Sequence, residues 1–471
     1  MKVLLVNPCI DFRTFGRYKK LLEPMPCIGL AYVAAVLEQR GHVVEAIDMF
    51  VEPLAADEIA ERVRKRGVDV VGVGCLTPAA PTAMGIARAV KRRRPEIPVV
   101  LGNIHAGTFA HEILAEGCVD VVAHREADYI MADLVDALER GEDIAGVSGL
   151  SLRRPDGEIV DTAPRDNPED LDALPYPAWH LFPYKHYGLL PFVTIDKPVL
   201  TVSASRGCPY ACTYCSLIGY QGKRYRIREP KRVAEEIAWL HETFGVRQVG
   251  FVDPIFPLTK QYMRRFADEM EANGMAGKVS WVSETRTDVI QDAEIVDHLR
   301  RAGAKRMIFG MESGVDELLD NVDKKNAAET GRRAVELVRA GGLQAVGLFM
   351  IGLPGETPAL TRKTIEYARN LDLDYAKFAI SIPLPGSEIF EDLRRGGEPI
   401  RTDWENYTTF NTDPEKLVPM NKDFPPQTWI DLQKAATRAF YLRPRMIWRH
   451  LFQIRSLSLK NILYGLYSIL L

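Results

Sequence analysis

No uncharged run in the 471 residues reaches the roughly 20 predominantly apolar residues that carry a helix across a bilayer. The first residues, "MKVLLVNPCIDF", lack the long apolar segment and small-residue cleavage site of a secretory signal. An excess of one charge is missing too. Lys and Arg number 60 and Asp and Glu 63, a net charge of −3, which argues against a nucleic-acid-binding surface spread over the whole chain but leaves room for a local patch. Cysteine is scarce, and its seven residues are odd in number with three crowded into one stretch. That pattern excludes a disulfide framework and fits a reducing cytoplasm. The length exceeds one ordinary domain, so two or three are expected.

Short β-branched runs alternate with longer amphipathic stretches. Over residues 1–140, "KVLLVNP", "VVEAIDM", "DVVGVGCLT", "PVVLGN" and "DVVAHRE" are each followed by a helical pattern. Continuous apolar strands with intervening helices predict a parallel sheet covered on both faces, an open doubly wound Rossmann-like domain with its ligand at the carboxyl ends of the strands. Residues 141–198 are rich in Pro and Asp and read as a linker with a small hairpin around "PDGE". Alternation resumes over 199–398 with six strand–helix units, "PVLTVSAS" through "YAKFAISIPLPG", which predict a partial (β/α)6 or complete barrel with its chemistry in the loops after the strands. Residues 399–471 read as a small helical C-terminal region. Its final stretch, "YLRPRMIWRHLFQIRSLSLKNILYGLYSILL", is basic and apolar without an acid; it reads as a helix packed on the barrel, and a basic amphipathic helix can also lie on a membrane surface.

The crowded cysteines, Cys208, Cys212 and Cys215 in "SRGCPYACTYCSL", follow the first strand of the second domain. A structural zinc site needs a fourth Cys or His, and none sits in the loop, although His180 and His186 lie upstream. Reduced, buried cysteines are a second reading, opposed by Gly207, Pro209 and their polar neighbours, which mark an exposed turn. A 4Fe–4S cluster is usually held by four thiolates, so three leave one iron open. Cys-x3-Cys-x2-Cys at this place in a barrel, with Tyr214 before the third cysteine, resembles the radical S-adenosylmethionine superfamily. The resemblance implies cluster ligation by the three cysteines, with S-adenosylmethionine on the open iron and its cleavage to a hydrogen-abstracting radical. It also implies contacts from other strand ends: Asp253 to the methionine amino group, Ser283, Glu284 and Arg286 of "SETR" at the end of the third strand, with the Arg paired to the methionine carboxylate, and Glu312 of "GMESG" to the ribose. The glycines of "GLPGE" and "PLPG" would let backbone approach a ligand.

The first domain resembles the cobalamin-binding domain of the cobalamin-dependent radical S-adenosylmethionine enzymes, in "PCIGLAYVAAVLEQRGHVVEAIDM" and, past the cysteines, in "YRIREPKRVAEEI". The Asp-x-His-x-x-Gly motif that supplies a lower cobalt ligand is absent: Asp11 is followed by Phe12 and Arg13. The resemblance therefore implies cobalamin bound without a protein imidazole. It places Gly74 and Thr77 of "GCLT", Gly102, Asn103 and His105 of "GNIHAG", and Glu126 of "HREAD" around the nucleotide tail. His105 also reads as a structural histidine, and the whole domain as a flavodoxin-like module that binds nothing or docks a partner.

The family resemblance implies a methyltransferase acting on an unactivated carbon, or phosphorus, of a small-molecule or lipid-like substrate, supplied with electrons by an external flavodoxin- or ferredoxin-type donor. A cyclase or rearrangement enzyme without methyl transfer, and a cobalamin or redox sensor, are the alternatives. RNA modification ranks behind them, because no nucleic-acid-binding module or basic stripe is visible.

Overall fold

The computed structural model describes residues 1–10, 23–189, 193–409 and 411–452. The first sheet contains β1 (Lys2–Asn7), β2 (Val43–Asp48), β3 (Val70–Gly74), β4 (Val99–Gly102), β5 (Val121–Ala123), β6 (Leu150–Arg153) and β7 (Ile159–Asp161), in the order β2-β1-β3-β4-β5-β6-β7. The first five strands are parallel, and β6 and β7 add antiparallel at the edge. Strands such as Val3–Val6 and Val70–Val73 are buried on both sides because helices cover both faces. Chain reversal between β1 and β3 opens a crevice at their carboxyl ends, where open α/β sheets bind ligands. The hairpin expected around residues 155–158 is present as β6–β7, and it extends this sheet.

The segment after β7 joins the two sheets. Tyr187 donates a buried hydrogen bond of 2.6 Å to Asp48 at the end of β2. Leu189 and Val193 then plug the floor of the second sheet, where the Gln248 amide donates to the Val193 carbonyl at 2.9 Å and accepts from the Ile195 and Asp196 N–H groups.

That second sheet is built from β8 (Val199–Val202), a small antiparallel pair β9 (Ser205–Arg206) and β10 (Arg226–Ile227), then β11 (Gln248–Phe251), β12 (Ser280–Thr285), β13 (Ala304–Glu312), β14 (Gln344–Ile351) and β15 (Tyr375–Ile380). Its six main strands are parallel in the order β15-β14-β13-β12-β11-β8, a partial barrel with helices outside. Period-two alternation splits each strand between an outer core, including Trp281, Phe309 and Phe349, and a lumen lined by Val199, Val282, Ile308, Val346 and Tyr375.

The helix Pro426–Tyr441 packs against β15 and against the helix Pro358–Asn370. In the helix Pro444–Phe452, Arg449 is anchored to Asp372 at 2.6 Å and to the Leu373 carbonyl at 3.0 Å. The rest of the basic C-terminal stretch, 453–471, lies outside the described residues, as does the Asp11–Phe12–Arg13 segment. Among the described residues no helix is long and apolar enough to cross a membrane.

Candidate active site between the two sheets

The loop after β8 is shaped by its backbone. Gly207 has φ +83°, and a Cβ there would overlap the Arg224 carbonyl. Its N–H donates to Gln221 Oε1 at 2.9 Å, and the Cys208 N–H to the Gly222 carbonyl at 3.2 Å. A tight turn joins the Cys215 N–H to the Cys212 carbonyl at 3.0 Å, and Thr213 ties the loop to Val322 and Ile389. Cys208, Cys212 and Cys215 are free and half-buried. Burial pushes the Cys215 thiol up to about 11, with the charges of Cys212 and Cys208 adding to the effect. Burial raises Cys208 as well, Cys212 again contributing. Thiols that oppose one another's ionisation need a cationic centre to become thiolates. Among the described residues no three His, Cys, Asp or Glu side chains close round the space of one metal ion. Three half-buried thiols on one short loop are a donor set that suits an iron–sulfur cluster, in which each iron takes a separate thiolate, and they fit such a group.

Glu312 ends β13 with φ +57°, beyond a register shift between Gly310 and Glu312. The strain is held by partners: Tyr214 O–H donates to its carboxylate at 3.0 Å and Lys324 Nζ at 2.6 Å. This acid is thus tied directly to the residue preceding Cys215. Asp253, just after β11, accepts from Ser205 Oγ at 2.6 Å and from the Ala204 N–H at 3.1 Å, and burial pushes its carboxyl up to about 7 against those hydrogen bonds. It fixes the start of the cysteine loop.

The other predicted strand-end groups are differently disposed. Ser283 faces outward and donates to the Phe256 carbonyl at 2.8 Å, while its neighbour Glu284 faces the lumen. Arg286 pairs with Asp288 at 2.8 Å, donates to the Lys324 and Lys325 carbonyls at 2.9 and 3.0 Å, and stacks 3.6 Å from the Tyr210 ring centroid. Its guanidinium is largely committed to this support of the cysteine loop.

In the first domain, a cavity of about 270 Å³ runs between the sheet and the helices Ile28–Gln39 and Asp128–Arg140. Gly29, Gly72, Gly74 and Gly102 line it, with Asn103 and Glu126. A Cβ on Gly72 would stand 2.9 Å from Leu5 Cδ2 and 3.3 Å from Met131 Cε, both wall atoms, so the slot exists because the residue is bare. A narrow, mostly apolar slot opening at the strand ends fits an inserted nucleotide tail. Thr77 and His105 are not in this wall. His105 sits on the far side of its short helix, Ile104–Thr108, with its ring 4.8 Å from those of both Phe109 and Trp404, and burial alone holds its imidazole down at about 4. The expectation that His105 contacts a cofactor is corrected to a packed, neutral histidine.

Ser203, Arg206, Tyr220, Gln221 and Val252 of the second domain complete the mouth of the cavity. Arg206 reaches across to Asp128 at 2.6 Å and Glu126 at 2.9 Å, and Arg226 joins Glu126 at 3.0 Å, all four buried. Sequence reasoning passed over Arg206, Arg226 and Lys324, because each is recognisable only by a partner 12 or more residues away. The carboxyl ends of β1, β3 and β4 therefore face the loops after β8 and β11, and the helix Leu217–Gln221, which follows Cys215, forms part of the shared wall.

A three-thiol loop on an open parallel barrel, facing a slotted doubly wound domain, is the arrangement of an enzyme with room for two cofactors. Comparison with known proteins agrees. Residues 19–135 match the B12 binding domain and residues 202–368 the radical SAM superfamily. The chain is 31% identical over 469 residues to an uncharacterized methyltransferase, PH0819, of Pyrococcus horikoshii, covering 99% of this chain and 98% of that one. It is 30% identical over 415 residues to the anaerobic magnesium-protoporphyrin IX monomethyl ester cyclase of Rubrivivax gelatinosus, covering 86% and 72%. A solved structure of the radical S-adenosylmethionine methyltransferase TsrM from Kitasatospora setae shares the fold, with TM-score 0.72 at 18% identity, over 94% of this chain and 89% of that one. The chain belongs to the cobalamin-dependent radical S-adenosylmethionine enzymes.

Proposed function

We propose that this enzyme transfers a methyl group to an unactivated carbon, or to phosphorus, of its substrate. The observation that carries the reading is the facing of the two sets of strand ends across one wall, because methyl transfer needs both cofactors and the substrate carbon in a single enclosed space. Bound in that space, the cofactors supply hydrogen abstraction and a transferable methyl group. The chain's own residues hold, orient and shield. Cys208, Cys212 and Cys215 would hold the cluster. Tyr214, Glu312 and Asp253 would border S-adenosylmethionine, with Arg286 supporting the loop from behind. Gly74, Gly102, Asn103 and Glu126 would admit the corrin's nucleotide tail. The working domain division is residues 1–161 and 199–398, with 162–198 as linker and 399–471 as the C-terminal region; the expected boundary at 140 moves because β6 and β7 pair into the first sheet. An external electron donor of flavodoxin or ferredoxin type, a cytoplasmic site of action and a membrane-surface contact of the basic C-terminus belong to the same reading.

The named relatives support methylation through the Pyrococcus protein, while 30% identity to a cyclase over 86% of this chain favours a second reading, ring closure without methyl transfer. Anaerobic expression in cells fed methionine carrying a ¹³C methyl group separates them. A metabolite that gains the label, absent from cells expressing C212A, is expected; a metabolite that changes without gaining label would establish the cyclase reading instead.

A further inference from the structure

Three helices outside the second sheet carry an excess of positive charge that the cofactor reading does not use. The helices Pro358–Asn370 and Pro426–Tyr441 lie side by side, with Thr361, Ile365 and Ala368 of one and Trp429, Leu432 and Ala436 of the other turned inward. Their outward sides present Arg362, Lys363 and Arg369 with Glu366, and Lys434 and Arg438 with Asp431. Residues 358–370 and 426–452 together hold eight Lys or Arg and two acids. The excess is densest where the helix Pro444–Phe452 meets the end of the first helix. Arg443 donates to the Arg369 carbonyl there. Arg445 and Arg449 converge on Asp372 at 2.8 and 2.6 Å, and Arg339 reaches the same carboxylate at 3.4 Å. Arg339 and Arg449 also share the buried Asp374. Five arginines thus gather round two carboxylates. Burial pushes the Arg443 guanidinium down, the charges of Arg369, Arg445 and Arg449 add to this, and Asp372 opposes it. Arg445 and, three residues on, Trp448 stay open to solvent at 67% and 54% exposure.

Such a face attracts an anionic surface, and the sequence that continues from it decides which kind. Residues 453–471 hold 11 apolar or aromatic residues in 19, with Arg455 and Lys460 as the charges and no acid. Cations interspersed with Leu, Ile, Trp and Tyr suit the headgroup layer of an anionic bilayer, where cations meet phosphates and aromatic rings sit at the boundary with the acyl chains. An acidic soluble protein would match the charges and leave the apolar residues in water. We infer that the outward face of these helices, with residues 453–471, docks the enzyme on an anionic phospholipid bilayer, the arginines at the Arg369–Arg445 junction meeting the headgroup phosphates. The inference rests on the membrane contact included in the reading above and gives it a face and a lipid chemistry. It does not depend on the reaction, so isotope labelling and vesicle binding can fail separately.

The test is flotation of the whole 471-residue chain, reconstituted anaerobically, with vesicles of phosphatidylcholine alone or with about a third phosphatidylglycerol. Binding to the anionic vesicles and not to the neutral ones is expected, weakening as salt is raised. R369Q/K434Q/R445Q should lower the partition constant at least about tenfold, since each cation near an anionic surface contributes roughly fivefold. W448S should weaken binding while leaving its salt dependence unchanged, as loss of an uncharged anchor does. Iron and corrin contents of the purified variants serve as the folding control, and where the triple variant lacks either, K363Q/K434Q carries the comparison. Equal binding of wild type and folded charge variants overturns the assignment of this face while leaving a membrane contact elsewhere. Equal binding to neutral and anionic vesicles overturns the lipid chemistry. Absence of vesicle binding by the wild type, with or without capture of an acidic flavodoxin-type protein, overturns the membrane contact itself. None of these results bears on methyl transfer, which the ¹³C label decides.

Discussion

Gly207 illustrates how far one atom governs the cysteine loop. Its φ of +83° already disfavours any side chain, and the Arg224 carbonyl fills the space a Cβ would need. Gly207→Ala should destabilise the fold by more than about 1 kcal/mol. It should also cut iron bound after anaerobic reconstitution to less than half of the wild-type content, and full iron loading would refute the geometric account. Asp253 gives a prediction with a sign. Its folded value of about 7 lies above the unfolded carboxylate value near 4, so the folded chain keeps a proton that the unfolded chain sheds between those pH values. The stability this lends is complete below about pH 4 and lost as pH rises through 7, on the order of 4 kcal/mol in total. Asp253→Asn removes the dependence. The wild type should therefore exceed the variant in denaturant stability by more at pH 5 than at pH 7.5, and an equal difference at both would show that burial does not control this carboxyl.

Elements were legible where burial on both faces left a continuous apolar signal. "KVLLVN" and "DVVGVG" read directly as parallel strands, and "GCPYACTYC" as the loop after a barrel strand. By contrast, β6 and β7, four and three residues long, lie in a segment that reads as linker with a small hairpin; their membership of the first sheet was hidden because they are so short and only their pairing with β5 reveals it. Loop membership could not tell which residues of "GNIHAG" face the cavity. Asn103 caps the helix Ile104–Thr108 from the cavity side, while His105, two residues on, is turned into the Phe109–Trp404 cluster. The slot itself tests the element packing. Gly72→Val would add three carbons where one already approaches Leu5 and Met131. Overpacking should cost about 1–3 kcal/mol. The purified protein should lose most of its corrin while keeping its iron; corrin at the wild-type level would mean that the cavity is not the tail site.

At the scale of the whole molecule, the decisive feature is one that no local pattern announces. Arg206 stands two residues before the first motif cysteine, and Glu126 and Asp128 about 80 residues earlier, between β5 and the first turn of the helix Asp128–Arg140 in the other domain. Their pairing, with Arg226, closes the domains on each other and brings the cavity mouth to the cysteine segment. Two smaller contacts support the same closure: Gly386, after β15, packs its bare backbone against Ile104, and Trp404 covers His105. Four buried charges in balance are worth little more than an apolar patch of equal shape, but an unbalanced set is costly. Arg206→Met leaves Asp128 buried without its partner while Arg226 still holds Glu126, which should cost about 3–5 kcal/mol and raise hydrogen exchange in residues 123–131 and 203–227 together. Adding Asp128→Asn removes the orphan charge and should recover at least half of that loss, a coupling that two independent surface sites would not show. If Arg206→Met changes stability by less than about 1 kcal/mol, the charge quartet does not hold the domains together, and the approach of slot to thiol loop must be maintained by the other contacts across the boundary, those of Gly386, Trp404 and the Tyr187–Asp48 bond among them.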